Sequence, residues 1–372
     1  MKLIYAFPEP LPLRRARGIQ AVNAAASLAE AGLDIEFAYV PAGAEDPFAH
    51  YGMARPRNLT LRPLSYSLPW PLARIHSNRL FAWRLLRTTG VTDATFYVRH
   101  LKLAARLSRH PRKPRFVYEA HEVFADTASA AKAGDRRDEE QAVMRSAAAI
   151  VANSGATARR LAYLYGPPRT LEVIPNGVVR PDAIPEKDWV HAGMHIVYSG
   201  SLFPWKGAAD LVAAAGDLPG CRVEIIGGES ARIAELEAGV VKGGATVNFA
   251  GHLPHAEAME RVRRACIAVL PNRDDTDSGF TSPIKLFEYM AAGCAIVASD
   301  LPPLREILDE DDAIWSVPGD PQSLASAVRT LVQDPGRARR MGDKVREKSR
   351  RFTWRARAAR IKALLSELGG GR

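Results

Sequence analysis

A carboxylate interrupts an apolar helical segment in the second half of the chain. The segment TSPIKLFEYMAAG, residues 281–293, opens with two N-cap residues and a proline, and a glycine follows its last apolar residue. Helical side chains lean towards the N-terminus, so Glu288 can reach a ligand at the helix start. Free N–H groups there favour a phosphate, whereas a carboxylate favours hydroxyl groups. The pattern predicts a nucleotide with phosphate at Ser282 and ribose at Glu288; a salt-bridged glutamate is the alternative.

A second motif that could bind phosphate precedes this helix in the sequence. The strand HIVYSG leads into a loop, residues 200–207, with a glycine at each end and Lys206 just before a helix start. This arrangement is typical of a phosphate cradle, although a lysine–glycine pair alone is weak evidence. Lys285, in the first turn of the later helix, opposes the helix dipole but would serve a bound anion. Neither GxxxxGK[ST] nor GxGxxG is present, which excludes a Walker loop and a dinucleotide fingerprint.

Two further groups of residues could do chemistry. VYEAHEVF places Glu119 and His121 where a predicted strand ends; this histidine could hold a hydroxyl or act as a base, and a structural histidine is the alternative. HEVFA is not HExxH, which excludes that zinc protease motif. Asp275 and Asp277 form a DxD that could hold a divalent metal. Two aspartates in a polar loop are common by chance, so a solvated loop is the alternative.

The elements that must position these residues alternate between strands and helices. This pattern predicts an α/β fold with two doubly wound domains, whose ligands bind outside the carboxyl ends of the strands. The turn at residues 175–177 and the polar segment PDAIPEKDW indicate a linker near residue 180. An amphipathic helix, TWRARAARIKALLSEL, follows both domains. We predict domains at 1–178 and 179–352, followed by a C-terminal helix within 353–372.

The charge of the chain is divided unevenly. Residues 1–175 contain 25 Lys and Arg against 15 Asp and Glu, whereas residues 176–372 contain 26 of each class. The whole net charge of +10 therefore lies in the first half, which suggests an anionic membrane surface or a phosphorylated substrate. Residues 74–90 mix arginines with Leu, Phe and Trp, as in an interfacial helix; an ordinary domain helix is the alternative. No nucleic-acid motif accompanies the arginines, so nucleic acid is disfavoured.

Composition also indicates the compartment. No stretch approaches the roughly 20 apolar residues of a membrane span, and the apolar run before Pro8 is too short for a secretory signal. We expect a cytoplasmic protein, with peripheral contact to the inner face of the plasma membrane as a further hypothesis. The three cysteines, Cys221, Cys266 and Cys294, are odd in number and widely spaced. They are interpreted as buried reduced thiols.

Several motifs together resemble a retaining glycosyltransferase of family 4 with the GT-B architecture. They are IPNGV at 174–178, GSLFPWKG at 200–207, SPIKLFEYMAAGCAIVASDLPPLREIL at 282–308 and FTWRARAARI at 352–361. The resemblance implies two Rossmann-like domains facing across a cleft, with the C-terminal helix crossing back to the first domain. The first domain would bind the acceptor and the second a nucleotide-diphosphate sugar, with no metal or other cofactor.

The resemblance also implies roles for individual residues. Lys206 would bind the donor diphosphate, Ser282 the distal phosphate and Glu288 the ribose, with the base near Gly228 and the turn at His252 and Leu253. His121 would lie near the transferred sugar. The implied catalytic residues are His121, Lys206 and Glu288; the implied nucleotide-sugar-binding residues are Gly18, Gly200, Ser201, Lys206, Gly228, His252, Leu253, Ser282, Pro283, Ile284, Lys285 and Glu288.

Two positions depart from the family pattern. Phe280 stands where the family commonly has a glutamate, and Ser201 where an arginine often follows the glycine. Other residues must then supply part of the contacts that usually bind the donor. Lys285, Arg273 and Arg305 are the cations that could compensate, and the sequence leaves the choice open.

The resulting hypothesis is a retaining glycosyltransferase that moves a sugar from a nucleotide-diphosphate sugar to a glycan or glycolipid acceptor. A sugar-nucleotide epimerase of the same architecture is one alternative, since it would bind the same donor. A non-catalytic GT-B scaffold or partner protein is the other, because of Phe280 and Ser201.

Overall fold

The protein divides into two compact α/β units, as the alternating pattern predicts. The first unit comprises Met1–Gly177 and Trp354–Arg372, and the second Val178–Thr353. Both are seen in a computed structural model. The structure describes residues 2–13, 16–66, 77–88, 94–189, 194–275 and 284–370.

The first unit contains a seven-stranded sheet in which every neighbouring pair of strands is parallel. The spatial order is β3-β2-β1-β4-β5-β6-β7, so the winding direction reverses between β1 and β4. Ligands of such sheets bind at this switch point, outside the carboxyl ends of the strands. The strands are β1 (Lys2–Leu11), β2 (Asp34–Pro41), β3 (Leu59–Pro63), β4 (Thr95–Val98), β5 (Phe116–Ala120), β6 (Ala149–Ala152) and β7 (Leu171–Val173).

Helices follow these strands because their apolar positions pack on the sheet. In α7, Ser154 begins the helix as an N-cap whose hydroxyl accepts a hydrogen bond from the Thr157 N–H (3.1 Å). The helices of this part of the unit are α1 (Ala16–Glu30), α2 (Pro47–His50), α3 (Asn78–Thr88), α4 (Leu101–Ser108), α5 (Phe124–Thr127), α6 (Ala130–Ser146) and α7 (Gly155–Tyr165).

The second unit repeats the architecture with a six-stranded parallel sheet in the order β10-β9-β8-β11-β12-β13. Its switch point lies between β8 and β11. The strands are β8 (His195–Ser199), β9 (Arg222–Ile226), β10 (Thr246–Gly251), β11 (Ile267–Leu270), β12 (Ala295–Ser299) and β13 (Ile314–Ser316). The helices are α8 (Ala208–Ala215), α9 (Ser230–Glu237), α10 (His255–Arg264), α11 (Ile284–Ala291), α12 (Pro302–Arg305), α13 (Pro321–Gln333) and α14 (Pro335–Lys348).

The last helix, α15 (Trp354–Gly370), returns to the first unit and packs against α1. Ala358, Ile361 and Leu364 on this helix belong to the core of the first unit. A Cβ on Gly177 would lie 2.5 Å from the Trp354 ring, so the chain is tightly packed where it enters the helix. The C-terminal helix is therefore an integral part of the first unit, as the resemblance implies.

The segment expected to be a linker is packed against the second unit instead. Lys187 is buried, and its ammonium group donates to two carbonyl oxygens at the end of α10. These belong to Arg263 (2.9 Å), in the last turn of the helix, and to Ala265, just after it. Trp189 packs against the core of the unit. Because PDAIPEKDW is mostly polar, the sequence did not indicate that Lys187 and Trp189 pack against the second unit.

Sequence analysis did not identify β3, β4, β7 and β13. Three of them are edge strands of three to five residues, and β4 is a four-residue strand that is buried throughout, so none shows a clear period of two. The expectation for the cysteines is confirmed, since Cys221, Cys266 and Cys294 are all buried and free.

Candidate functional site

The loops after β8, β9, β10 and β11 meet at the carboxyl edge of the second sheet. The Gly200 N–H donates to the Ile226 carbonyl (2.9 Å), and the Gly227 N–H donates to the Gly251 carbonyl (2.7 Å). The N–H of Arg273, after β11, donates to the Trp205 carbonyl (2.9 Å). These backbone hydrogen bonds build a continuous floor at the place where doubly wound sheets bind ligands.

This floor is too close-packed for side chains at two glycines. A Cβ on Gly227 (φ +111°) would lie 2.2 Å from the Gly200 carbonyl oxygen. A Cβ on Gly207 (φ +72°) would lie 1.7 Å from the Pro271 carbonyl oxygen. Both glycines therefore have conformational and steric reasons to be glycine. The sequence predicted Gly200 and Gly228 as site residues but gave no reason to select Gly227.

Lys285 on α11 is a buried cation beside this floor. Its side chain passes Gly200, and its ammonium nitrogen lies 4.2 Å from the centroid of the Tyr198 ring. Among the residues that the structure describes, no acceptor bonds to this nitrogen. Burial, and then the positive charge of Lys206, hold the pKa of Lys285 well below its ordinary value, while Glu288 opposes the shift. A buried ammonium group without an acceptor is unfavourable unless a ligand supplies one.

Glu288 lies on the same helix, one turn after Lys285. Its side chain is 14% exposed, and its nearer oxygen lies 3.7 Å from His255 Nε2, beyond hydrogen-bonding distance. Burial raises the pKa of Glu288 to about 7, although Lys285 acts in the opposite direction. The helix thus presents a buried cation without an acceptor among the described residues and a largely buried carboxyl group that lies beyond hydrogen-bonding distance of His255. His255, just beyond the predicted turn at residues 252–253, was missed by sequence reasoning.

The remaining predicted residues of this unit lie at several places around the same edge. Lys206, in a 3₁₀ turn, is 3.6 Å from the centroid of the Trp205 ring, and its charge acts on Lys285. Ser201 is exposed, and its carbonyl accepts a hydrogen bond from the Tyr198 hydroxyl (2.7 Å). After β10, His252 is exposed and Leu253 packs against the core.

Part of the predicted phosphate site falls outside the residues that the structure describes. Ser282, Pro283 and Phe280 are among the residues not described, and α11 is described from Ile284 onwards. The helix ends as predicted, with Gly293 in the left-handed conformation (φ +65°). Of the DxD, Asp277 is not described; within the described ranges, no group of three or more His, Cys, Asp or Glu could hold a metal.

The structure separates the three cations that could compensate for Ser201. Arg273 makes two hydrogen bonds to Asp210 (2.8 and 2.6 Å). Arg305 makes two to Asp300 (2.7 and 2.9 Å) and stacks on Trp315. Their guanidinium groups are already neutralised within the fold, so Lys285 is the cation best placed to meet an anion.

In the first unit, His121 lies at the end of β5, near the centre of the sheet. Its Nε2 is 2.8 Å from Glu119 Oε1, and its backbone carbonyl accepts a hydrogen bond from Asn153 (3.0 Å). Burial and then the charge of Arg99 lower the pKa of His121, while Glu119 raises it, leaving a net decrease. The imidazole is therefore neutral at neutral pH.

Arg357, on α15, completes this cluster and was missed by sequence reasoning. Its guanidinium donates to Glu119 Oε1 (2.6 Å), and both residues are 4% exposed. The missed signal was its position: Trp354, Arg357 and Ile361 follow the spacing of the apolar face of the helix, where an arginine needs a buried partner.

Leu13, in the described part of the loop after β1, is held by a residue that the sequence did not suggest. The Tyr51 hydroxyl accepts a hydrogen bond from the Leu13 N–H (2.9 Å) and donates to the Leu13 carbonyl (2.6 Å). A Cβ on Gly18 would lie 2.3 Å from this hydroxyl, so a glycine at this position leaves room for the hydrogen bonds between Tyr51 and Leu13. Arg14 and Arg15, in the same loop, lie outside the described residues.

The predicted basic helix is observed as α3, whose described residues begin at Asn78. Arg79, Trp83 and Arg87 are exposed at a spacing of four residues, with Trp83 51% exposed and the Arg87 guanidinium 4.7 Å from its ring centroid. Phe81 and Leu85 face the core. Searching the described helices for membrane spans finds none that is long and apolar enough.

Comparisons with known proteins cover most of the chain. Residues 180–348 match the family model described as glycosyl transferases group 1, and residues 18–180 match that described as glycosyltransferase family 4. The chain is 32% identical over 183 residues to an exopolysaccharide phosphotransferase from Streptomyces coelicolor, covering 46% of this chain and 19% of that protein. It is 30% identical over 173 residues to a phosphatidyl-myo-inositol mannosyltransferase from Mycolicibacterium smegmatis, covering 45% and 43%. The chain thus spans less than half the length of these curated relatives.

The fold is also similar to solved structures. HepE from Anabaena, crystallised in complex with UDP-glucose, superposes with a TM-score of 0.75 at 16% identity, covering 99% of this chain and 100% of HepE. At this level of identity, the similarity concerns the fold.

Proposed function

Because the chain belongs to glycosyltransferase family 4 and has the GT-B architecture, we propose that it is a retaining enzyme acting on a nucleotide-diphosphate sugar. It transfers the sugar to a glycan or glycolipid acceptor. The observation that carries this proposal is the buried Lys285, which has no acceptor among the described residues and lies one helical turn from Glu288. A donor that combines a diphosphate with a ribose supplies both missing partners.

The donor is bound by complementary charges at the carboxyl edge of the second sheet. Lys285 and Lys206 neutralise the diphosphate, and a bound anion restores the charge on Lys285 because an opposite charge stabilises the ammonium form. Glu288 accepts hydrogen bonds from the ribose hydroxyls. The helix start that the sequence predicts at Ser282 is expected to add N–H donors for the distal phosphate. HepE, which shares the fold, was crystallised with a donor of this class.

Transfer proceeds by attack on the face of the sugar that the diphosphate leaves. The bond between the anomeric carbon and the diphosphate oxygen breaks, and a bond from the acceptor oxygen forms. The proton of the acceptor hydroxyl passes to the departing diphosphate, so no protein base is consumed. The lysines stabilise the charge that develops on the leaving group, and His121 holds a hydroxyl of the transferred sugar. Two lysines supply the charge that a metal provides elsewhere, so we expect transfer to persist in EDTA.

The acceptor is proposed to be lipid-linked or part of a surface polysaccharide at a membrane. The excess positive charge of residues 1–175 and the exposed face of α3 support contact with anionic lipid. One relative is named as a phosphatidyl-myo-inositol mannosyltransferase. This contact is peripheral.

The test starts with donor binding and continues with turnover. A thermal-shift panel of UDP, GDP and ADP and their sugars identifies the base, because a ligand above its Kd raises Tm. Turnover is then followed with each donor, with and without membrane extracts as a source of acceptors. Release of nucleoside diphosphate that depends on the acceptor supports glycosyl transfer. Release of nucleoside monophosphate indicates transfer of a phosphosugar and contradicts the proposal.

The same assay separates the two alternatives. An epimerase converts the donor sugar with no acceptor present. A scaffold binds a nucleotide or partner without turnover under any condition. Either result replaces the transferase proposal.

A further inference from the structure

A buried polar network joins the last helix to the predicted sugar-binding histidine in the first unit. Glu119 Oε1 accepts a hydrogen bond from Arg357 Nη2 (2.6 Å) and lies 2.8 Å from His121 Nε2. The other carboxylate oxygen, Oε2, is buried and has no partner among the described residues. Within the described ranges, the hydrogen-bonding partners of this carboxylate are therefore Arg357 and His121.

Arg357 is held in place from two further directions. Its Nε donates to the Pro175 carbonyl (3.1 Å), and Nη2 lies 3.5 Å from the Tyr97 hydroxyl. The guanidinium group is thus fixed by the backbone and by a phenol on β4. Neighbouring arginines of α15, Arg355 and Arg360, are exposed. A buried charge in the same helix needs a specific reason, because desolvation is costly.

The charges of the network determine where the imidazole proton lies. Burial alone would raise the pKa of Glu119, but the charge of Arg357 reverses this and, with the hydrogen bond between Glu119 and His121, keeps the carboxylate ionised. His121 is neutral, so it carries one ring proton. An ionised carboxylate at Nε2 can only accept a hydrogen bond, which fixes that proton on Nε2 and leaves Nδ1 as an acceptor. The contact of the imidazole within the described residues is made through Nε2, and the side chain is 18% exposed, so Nδ1 can meet a ligand.

We propose that Arg357 and Glu119 are positioning residues that hold His121 as the Nε2–H tautomer, with Nδ1 ready to accept a hydrogen bond from a sugar hydroxyl. The identity of that hydroxyl rests on the proposed function, whereas the tautomer does not. Through this network the C-terminal helix acts on the site, although its residues follow the catalytic motifs by more than 60 positions.

The first test measures the tautomer in the absence of any substrate. Two-bond ¹H–¹⁵N correlation spectra of histidine-labelled protein distinguish the tautomers, and the His121→Asn variant assigns the signal. We expect the Nε2–H pattern in the unmodified protein. In Arg357→Met, Glu119 loses its cation and becomes protonated, so it can donate to Nε2 and the imidazole shifts towards Nδ1–H. In Glu119→Gln, an amide can donate or accept, so a mixture of tautomers is expected.

The matched control is Arg355→Met, which makes the same change on the exposed side of the same helix and should leave the His121 signal unchanged. If Arg357→Met does not fold, the double variant Glu119→Gln/Arg357→Met removes both charges and leaves no lone buried charge. An Nδ1–H pattern in the unmodified protein would overturn the proposal. So would an unchanged tautomer in every folded variant of Glu119 and Arg357.

The second test separates positioning from a merely structural role. In Glu119→Gln and Arg357→Met, we expect kcat to fall on the order of 10²-fold. The Kd for nucleoside diphosphate should stay within about twofold of the unmodified value, because the predicted nucleotide site lies in the other unit. A lower Tm with normal kcat, measured well below that Tm, refutes the positioning role. Absence of turnover in the unmodified protein, with the expected tautomer, refutes only the proposed function.

Discussion

At the scale of single residues, Glu288 and Lys285 weaken the unliganded fold. Lys285 is buried with no acceptor among the described residues, Glu288 is largely buried with His255 Nε2 3.7 Å away, and the pKa shift of each residue favours its neutral form. Buried polar groups without partners cost free energy of folding, which sequence selection tolerates at binding sites. The pair therefore provides two measurements, one of binding and one of stability.

The binding prediction concerns Glu288→Gln. The amide retains the shape of the side chain but loses the charge that strengthens hydrogen bonds from ribose hydroxyls, so we expect the Kd for nucleoside diphosphate to rise about 10- to 100-fold. Isothermal titration calorimetry measures the change. Glu237→Gln, an exposed change on α9, is the control and should have no effect. Equal affinity in Glu288→Gln and the unmodified protein would remove the ribose assignment.

The stability prediction has opposite signs for the two residues. The pKa of Glu288 is raised from 4.5 to about 7, so its penalty is absent below pH 4.5 and complete above pH 7. Glu288→Gln should thus increase the free energy of unfolding by up to about 3 kcal/mol at pH 8, with no gain at pH 4.

Lys285 has a lowered pKa, so its penalty is greatest at low pH and disappears as pH rises towards 10.5. Lys285→Met should therefore stabilise the protein most at low pH. Urea denaturation at several pH values checks both trends, with exposed Lys242→Met as the control. If the gain in free energy of unfolding changed with pH in the same direction for both variants, the opposite pKa shifts of Glu288 and Lys285 would be contradicted.

At the scale of elements, the floor of the site depends on close contact between the loops after β8 and β11. Gly207 and Gly220 have similar positive φ angles, 72° and 78°, but a Cβ would meet the Pro271 carbonyl oxygen only at Gly207. Gly220→Ala should cost about 1 kcal/mol from backbone strain alone. Gly207→Ala adds a steric clash, so we expect a total cost of about 3 kcal/mol or more. Urea midpoints at equal m-value measure both, and equal costs would show that the loops do not touch.

Sequence patterns predicted helices and strands well where a segment had both a hydrophobic periodicity and a residue that marks its boundary. Residues 155–165 form a helix whose two boundaries are visible in the sequence, because Ser154 is an N-cap residue and Gly166 follows the last helical residue. The four-residue strand β4 was missed, since burial on both faces removes the alternation that identifies a strand. Lys206, Lys285 and Glu288 were selected as candidates from their local motifs. Arg357 was not, because its partner Glu119 is 238 residues away in the sequence.

At the scale of the whole molecule, the two units share a topology but not a charge. The doubly wound fold follows from alternating elements, which the sequence states directly. The identity of the acceptor does not follow from the sequence, because recognition of an acceptor depends on surface residues that no local pattern specifies. The uneven charge is the global feature that the sequence does provide, with an excess of ten positive charges within residues 1–175.

This charge predicts salt-sensitive binding to anionic lipid through α3. Removing two exposed arginines in Arg79→Gln/Arg87→Gln should weaken binding to phosphatidylcholine–phosphatidylserine vesicles about 30-fold, since each contributes about 1 kcal/mol near such a surface. Arg339→Gln/Arg340→Gln removes the same charge from the exposed surface of the second unit and should have little effect. Trp83→Ser should weaken the binding that survives at 0.5 M salt, because insertion of an aromatic ring is not screened. Vesicle co-sedimentation measures all three variants, and equal loss in the two arginine pairs would assign the attraction to net charge instead of to α3.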